Sequence, residues 1–212
     1  MMITTHFSDY EFMCPHCGNT QIKHDFVKHL EELYMLLDSA IGIKNIIVNS
    51  GYRCATHSLS VGGFTDDCHV LGFGADIHVN GNDGKKLSAY DIAEAAELLG
   101  FAGIGIISTT DCHLDDRGIY PYKNNHWFGN EQTGELYTTF KGGSKYSAIL
   151  QKLVSEKNNQ NTINCILVIL LTDQLLKNCR IFTTTFKCGI QFTSLFISKP
   201  VIVFIRINST II

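Results

Sequence analysis

The sequence lacks an excess of basic residues and is poor in charge of either sign. Charged residues make up 17% of its 212 residues, and 17 Lys and Arg stand against 20 Asp and Glu, a net charge of −3. This balance argues against a strongly basic nucleic-acid-binding protein. Because 45% of the residues are hydrophobic, the chain has enough apolar surface for a buried core, which excludes disorder throughout.

The sequence also lacks segments that would direct the protein into a membrane. Its N-terminus, residues 1–6, has no basic stretch followed by an apolar run and therefore predicts no signal peptide. The longest strictly apolar run, residues 165–171, is far shorter than the roughly 20 residues of a membrane-spanning helix. We therefore expect synthesis in the cytoplasm and no membrane partner. Because disulfides are rare in cytoplasmic proteins, we expect the eight cysteines to be free thiols or metal ligands.

The composition divides the chain into two parts. Residues 1–150 carry 10 Lys and Arg against 18 Asp and Glu, a net charge of −8, whereas residues 151–212 carry 7 against 2, a net charge of +5. All nine histidines, and every glycine except Gly189, lie in the first part. We predict one domain over residues 1–145. Residues 146–212 have no persistent helix or strand pattern, and we interpret them as a strand-rich appendage or, by preference, a non-native extension without assigned function.

Hydrophobic spacing and turn residues predict an α+β fold for the first part. Apolar residues at three- and four-residue steps predict a helix over residues 24–41, and a capping-box pattern predicts another over 89–99. Short strands are predicted at residues 46–48, 74–79, 103–107 and 112–116. The last two would pair through a turn at 108–111, and residues 117–142 are predicted to be rich in loops. The expected architecture is a small, mainly antiparallel sheet with packed helices and an open face.

Two histidines and an aspartate have positions that could hold a metal ion. His69 precedes Asp76 by seven residues, and His113 lies on a later predicted strand. A catalytic zinc needs three nitrogen, oxygen or sulfur ligands and one open position for water, which two imidazoles and a carboxylate could provide. The spacing alone is weak evidence, because Asp76 could face solvent and His113 could be a hydrogen-bonded core residue.

These residues form part of a longer series of motifs. The series is, in chain order, Ser50-Gly51-Tyr52-Arg53, Val61-Gly62-Gly63, His69-x-x-Gly72-x-Gly74-Ala75-Asp76, Gly103-Ile104-Gly105 and His113-x-Asp115. It resembles the zinc D-Ala-D-Ala carboxypeptidase family, and more closely the short phage-type and bacterial members, which cleave peptidoglycan stem peptides. The resemblance covers roughly residues 5–142.

The resemblance implies one zinc ion and a set of site residues. His69, Asp76 and His113 match the zinc ligands. Arg53 matches an arginine that holds a substrate carboxylate or stabilises the developing oxyanion. Asp111 is the best match to the general acid/base, although many relatives have no acidic residue at this position. The zinc would lower the pKa of a water molecule towards ~7, and the acid/base would carry its proton to the leaving amine.

Two further residues receive roles from the same resemblance. Asp115 follows the last ligand at the usual place and would orient His113, as carboxylates near metal-binding histidines do. His57 lies where relatives carry His or Tyr, and it would either line the substrate cleft or lie at the surface.

The function implied by the resemblance is zinc-dependent hydrolysis of peptide bonds in peptidoglycan, by an endolysin-like carboxypeptidase or endopeptidase that remodels or lyses the cell wall. We expect a monomer whose partner is the peptide substrate, not nucleic acid. It would act at the wall after release, or as part of a phage particle. Two alternatives stay open: a non-catalytic zinc-containing structural or binding module of a phage particle, and a regulatory metal-binding domain.

The cysteines offer a second metal pattern. Cys14 and Cys17 form half of a zinc knuckle, with a histidine between them. A structural zinc needs four ligands and the sequence has no second Cys-x-x-Cys, so buried or loop thiols are the preferred interpretation. Three other cysteines lie beside proposed site residues: Cys54, Cys68 and Cys112. We interpret these as small residues packed behind the site. In the alternative, Cys54 or Cys68 would be a zinc ligand.

Overall fold

A computed structural model of the protein describes residues 1–117 and 127–178, although the side chains of residues 166, 167 and 169–178 lie outside that description. Contacts divide the chain into two compact units, Met1–Lys157 and Asn158–Ile212. All predicted site residues lie in the first unit. In the described part of the chain, no helix is both long and apolar enough to cross a membrane.

Five strands of the described chain form one mixed sheet. They are β1 (Ile43–Ser50), β2 (Gly74–Gly81), β3 (Gly103–Ile106), β4 (Asp111–Asp115) and β5 (Trp127–Asn130). The strand order is β1-β2-β4-β3-β5. Neighbouring strands are antiparallel except for β3 and β5, which run parallel. The predicted α+β class is therefore confirmed.

A short 3-10 helix and five α-helices accompany the sheet in the described residues. They are the 3-10 helix Asp9–Phe12, α1 (His24–Ile41), α2 (Ala55–Ser60), α3 (Cys68–Leu71), α4 (Ala89–Leu99) and α5 (Ser147–Asn178). Helices α1 and α4 have the predicted bounds. α4 begins where the Ser88 hydroxyl accepts the N–H of Asp91, and it ends at Gly100 in the left-handed conformation.

The hydrophobic core lies between the sheet and the apolar faces of α1 and α4. Alternate residues of the two central strands β2 and β4 contribute to it: Ala75, Ile77, Val79, Cys112 and Leu114. Successive side chains of a strand point to opposite faces of the sheet. Asp76 and His113 therefore share the opposite face, where the side chains of β2 between its buried residues are only half-buried.

Residues 117–142 are predicted to be rich in loops, and the structure places one unpredicted strand, β5, within them. β5 pairs with β3, with Gly103 opposite Trp127, and so depends on a partner distant in sequence. Four residues bounded by no clear turn signal give too little pattern to predict a strand. The aromatic residues Tyr120 and Tyr122 lie outside the described residues.

A strand-rich appendage is contradicted over residues 147–178, which form α5. Leu150 is buried in the core, and Leu153 and Val154 pack partly buried against it. These packing contacts favour a helix at its first turns, whereas Asn and Thr over residues 158–164 have weak helix propensity. The sequence pattern alone therefore conceals the helix.

Candidate metal centre

The pairing of β2 and β4 brings the predicted ligands together on the sheet face opposite the core. Asp76 lies directly opposite His113, and His78 lies opposite Asp111. Directly opposite residues on antiparallel strands are close enough for their side chains to interact. Oδ1 of Asp76 accordingly lies 2.9 Å from Nδ1 of His113.

His69 reaches the same point from the short helix α3. The Asp67 carboxylate starts this helix by accepting a backbone N–H at 2.9 Å. The helix ends at Gly72, whose φ is +78° and whose missing Cβ leaves room for the carbonyl of Gln21. The tight turn places Nε2 of His69 3.3 Å from Oδ1 of Asp76.

Each histidine has one ring nitrogen held by the protein and the other directed at Asp76. Nδ1 of His69 lies 2.7 Å from the carbonyl oxygen of Gly51, and Nε2 of His113 lies 2.9 Å from Oδ2 of Asp115. Carbonyl and carboxylate oxygens only accept, so both of these nitrogens carry a proton. The nitrogens that face Asp76 and its carboxylate lie within 4.8 Å of one another. Two anchored imidazoles and one carboxylate fit a zinc ion.

The charges at this group favour a cation. Burial alone would raise the pKa of Asp76, but hydrogen bonds from His113 and His69 hold it well below its usual range. Burial would lower the pKa of His113, yet hydrogen bonds to Asp115 and Asp76 raise it well above the usual value. Without metal, His113 therefore holds a proton between two carboxylates. A bound cation would replace that proton, so metal binding should release it.

A second group of potential ligands shares His113 and consists of Cys68, His113 and Asp115. The Asp115 carboxylate already accepts hydrogen bonds from Nε and Nη2 of Arg117, at 2.9 and 2.6 Å. All three potential ligands are buried, whereas 17% of the Asp76 side chain is exposed. Because a catalytic metal needs an open position for water, the group around Asp76 is the better candidate for catalysis.

Arg53 lies beside the same carboxylate. Its Nη2 donates to Oδ2 of Asp76 at 2.5 Å, and its Nε donates to the Ser50 hydroxyl at 2.8 Å. Ser50 ends β1 and lies opposite Asp76 in the sheet, which explains why the guanidinium reaches this point. The side chain of Arg53 is 17% exposed, so it can also meet a ligand that approaches from solvent. An arginine here can bind a carboxylate or an oxyanion with two parallel hydrogen bonds.

Asp111 lies on the same sheet face as His113, two residues earlier on β4. Its carboxylate accepts hydrogen bonds from the Ser108 hydroxyl, from Thr110 at 3.0 Å and from Asn49 at 2.9 Å. Burial would raise the pKa of Asp111, but these hydrogen bonds lower it, so the carboxylate is ionised at neutral pH. Among the described residues, its contacts do not include the predicted metal ligands. Its role as general acid/base stays a prediction.

Comparison with known proteins agrees with this geometry. The family model described as Peptidase M15 matches residues 6–115, which is more than half of the chain. The chain belongs to the peptidase M15 family. This match confirms the resemblance to zinc D-Ala-D-Ala carboxypeptidases. No curated protein matches the chain. The M15 family comprises zinc-dependent peptidases, so the protein is a metallopeptidase with a peptide substrate.

In this M15 peptidase, Asp115 is fully buried beneath the metal group. A Cβ at Gly103, its partner in the pairing of β3 and β4, would collide with the Asp115 carboxylate. Burial would raise the pKa of Asp115, but His113 and Arg117 hold it well below its usual range. An ionised, enclosed carboxylate of this kind is suited to orient the His113 ring rather than to touch substrate.

Sequence reasoning missed Arg117 and predicted a cleft role for His57. Arg117 donates side-chain hydrogen bonds to the Asp115 carboxylate. In the sequence, this ion pair is indicated by nothing more than the spacing of two residues. The M15 peptidase places Nδ1 of His57 3.4 Å from Sγ of Cys14. The role of His57 in substrate binding stays a prediction, and its observed contact leads to a different proposal below.

Proposed function

We propose that this M15 peptidase hydrolyses peptide bonds in peptidoglycan stem peptides, with one zinc ion held by His69, Asp76 and His113. The observation that carries the proposal is the convergence of three ligand atoms within 4.8 Å, with both imidazoles anchored through their other nitrogen. The resemblance to wall-cleaving members of the family supports the choice of substrate. Because the wall lies outside the cytoplasm, the enzyme would act after release or from a phage particle.

The bound zinc would supply a Lewis acid that lowers the pKa of water towards ~7. Asp111 then receives the proton of the attacking water and returns it to the leaving amine. Residues two apart on one strand are separated by about 7 Å. At that separation, Asp111 would take up the proton either directly or through one further water molecule. Its ionised state at neutral pH suits the accepting step.

Arg53 would bind the negative charge of the substrate. In a stem peptide that ends in D-Ala-D-Ala, the terminal carboxylate and the developing oxyanion are the two anionic groups near the scissile bond. The guanidinium of Arg53 stands next to Asp76, where it can reach either one. Its present hydrogen bond to Asp76 holds the guanidinium in place before substrate arrives.

The test is digestion of purified peptidoglycan by the metal-loaded protein, with mass spectrometry of the products. Release of single D-alanine identifies a carboxypeptidase, and cleavage of cross-links identifies an endopeptidase. We expect His69→Ala and His113→Ala to lose activity, while His24→Ala, an exposed histidine at the start of α1, retains metal and activity. Full hydrolysis by metal-free protein would overturn the proposal.

One observation favours the alternative, a non-catalytic zinc-containing module of a phage particle. The Asp111 carboxylate is already bound by the neighbouring turn and by Asn49, which leaves it fewer free lone pairs for a proton. This alternative gains if the zinc-loaded protein cleaves neither peptidoglycan nor short peptides that end in D-Ala-D-Ala.

A further inference from the structure

We propose that the protein binds a second, structural zinc ion through Cys14, Cys17, Cys54 and His57. We call these four residues the thiol cluster. It is separate from the group around Asp76 and does not depend on the proposed peptidase activity.

The distances within the thiol cluster match a tetrahedral zinc site. The three sulfur atoms lie within 4.8 Å of one another. Sγ of Cys14 is 3.9 Å from Sγ of Cys54 and 3.4 Å from Nδ1 of His57. Zinc–sulfur and zinc–nitrogen bonds of about 2.3 and 2.0–2.1 Å give tetrahedral edges of roughly 3.8 Å between sulfurs and 3.5 Å between sulfur and nitrogen. A single ion therefore fits between the three sulfur atoms, and Nδ1 of His57 lies at ligand distance from Sγ of Cys14.

The sequence spacing of the cluster is that of two zinc half-sites. Cys14-x-x-Cys17 is the first half, and Cys54-x-x-His57 is the second. Cys54 is the residue that precedes α2, and His57 follows one turn later, so the two side chains face the same direction. The sequence has no second Cys-x-x-Cys, but the Cys-x-x-His pair provides the other two ligands of a zinc knuckle. Three cysteines and one histidine are a common ligand set of structural zinc.

Backbone hydrogen bonds hold the residues around the cluster. The N–H of Cys54 points at Sγ of Cys14 at 3.4 Å, which stabilises a thiolate there. The first half-site closes through the N–H of Gly18, which donates to the Cys14 carbonyl at 2.9 Å, and Gly18 has a φ of +70°. Cys14 is buried and Cys54 half-buried, so the cluster is enclosed on one side.

His57 is the better choice of fourth ligand, although a second histidine lies nearby. Nδ1 of His16 is 3.4 Å from Sγ of Cys54, and its ring stacks on His57 with centroids 6.2 Å apart. His16 is exposed, whereas His57 is half-buried and held by α2. Soft thiolates with one imidazole select zinc over oxygen-preferring magnesium or calcium.

The ion would join the N-terminal segment to the segment that carries Arg53. The N–H of Tyr52 already donates to the carbonyl of Phe12 at 2.9 Å. A metal held on both sides would lock this pairing, because Cys54 directly follows Arg53. We therefore infer that the thiol cluster keeps the Arg53 loop in position beside Asp76.

The test uses metal-free full-length protein titrated with Co²⁺, followed by absorption spectroscopy. Thiolate ligands give a cobalt charge-transfer band in the near ultraviolet, and imidazole and carboxylate ligands do not. We expect the band in the wild type and in His113→Ala, and two zinc ions per chain in the zinc-loaded wild type. Loss of peptidase activity in His113→Ala with the band retained would separate this proposal from the proposed function.

Variants assign the ligands. Cys17→Ser changes an exposed side chain and should fold, and it should lower the band by about a third or more as one of three thiolates is lost. Cys68→Ser and Cys165→Ser, which lie outside the cluster, should leave it unchanged. His57→Ala should shift the visible cobalt bands, whereas His16→Ala should not. The reverse result for the two histidines would overturn His57 as the fourth ligand.

Two results would overturn the second site as a whole. One is a single zinc ion per chain, with the thiols of the cluster fully reactive towards a thiol reagent in the zinc-loaded protein. The other is a disulfide between Cys14 and Cys54, seen as the loss of two hydrogens by mass spectrometry, in protein kept under reducing conditions and showing no charge-transfer band.

Discussion

The two candidate metal groups are built in different ways. Asp76 and His113 are neighbours because two paired strands place them opposite each other. Cys14 and Cys54 are 40 residues apart in sequence and meet where the N-terminal segment contacts the start of α2. The first group offers nitrogen and oxygen atoms and has a partly exposed edge, whereas the second offers three thiols and, in our proposal, His57 as the fourth ligand. An open group of three ligands is suited to catalysis, because it leaves a position for water. A closed thiolate group is suited to holding chain segments together.

The largest effect after loss of a ligand is expected from Asp111→Asn. If Asp111 carries the proton, this variant should keep its zinc but lose about 10²–10⁴-fold in kcat, the usual range for general acid/base catalysis. The measurement is kcat for a peptide ending in D-Ala-D-Ala, with metal analysis. Asp83→Asn, an exposed carboxylate in the turn after β2, is the matched control. Full activity of Asp111→Asn would show that the base lies elsewhere.

Arg53→Ala should come next, with a loss of about 10²–10³-fold in kcat/KM, as for removal of one oxyanion donor. Arg53→Lys should recover only part of this loss, because an ammonium cannot donate in the two-pronged geometry of guanidinium. Steady-state kinetics would measure both variants. The cobalt band of the thiol cluster should be the same in all of them, and equal activity of Arg53→Ala and wild type would remove Arg53 from the mechanism.

Asp115→Asn should weaken zinc binding to the site of His69, Asp76 and His113 by about 10–100-fold, since the carboxylate orients His113. Equilibrium dialysis against a zinc buffer would measure the change. Asp116→Asn is a matched control, because its carboxylate bonds to His29 instead. An unchanged zinc affinity in Asp115→Asn would show that this carboxylate does not orient His113 for metal binding.

The smallest effect lies away from both metal groups, at Glu94. Its buried carboxylate accepts hydrogen bonds from the Ser144 N–H at 2.9 Å and the Ser147 hydroxyl at 2.6 Å. Burial would raise the pKa of Glu94, but these donors and the Gly142 N–H lower it. A lowered folded-state pKa stabilises the protein at pH values above the unfolded value of 4.5. This stabilisation decreases below pH 4.5 and is lost as pH falls through the lower, folded-state pKa.

Glu94→Gln should therefore reduce the free energy of unfolding by about 1–3 kcal/mol at pH 7. Denaturant unfolding of the metal-free variant and wild type should give curves that converge below pH 4.5. Zinc content at neutral pH should not change in either group. A difference in stability that persists at low pH would assign the effect to shape rather than to the charge of Glu94.

The sequence was sufficient for the parts of the fold that rest on local patterns. Helices α1 and α4 have clear apolar stripes and end signals, and the predicted strands β2 and β4 carry the candidate ligands Asp76 and His113. It was insufficient where a distant partner decides the structure. β5 depends on β3, α5 depends on the packing of Leu150, and α3 depends on a turn made by Asp67 and Gly72.

The same limit applies to the candidate sites. Spacing puts Asp111 on the face of His113, but the partners of its carboxylate come from Asn49 on β1 and from the adjacent turn. Likewise, Cys54-x-x-His57 is visible in the sequence, yet only the folded chain shows that it meets the Cys14 loop. Long-range proximity, and not residue type, is the missing information in both cases.

The most direct test of the central claim is to restore zinc stepwise to metal-free protein while peptidoglycan hydrolysis is followed. We expect hydrolysis to appear as zinc binds to His69, Asp76 and His113. The variant His113→Ala should stay inactive at every zinc concentration, even though its thiol cluster still binds metal. Hydrolysis by metal-free wild type, or by zinc-loaded His113→Ala at the wild-type rate, would contradict the account.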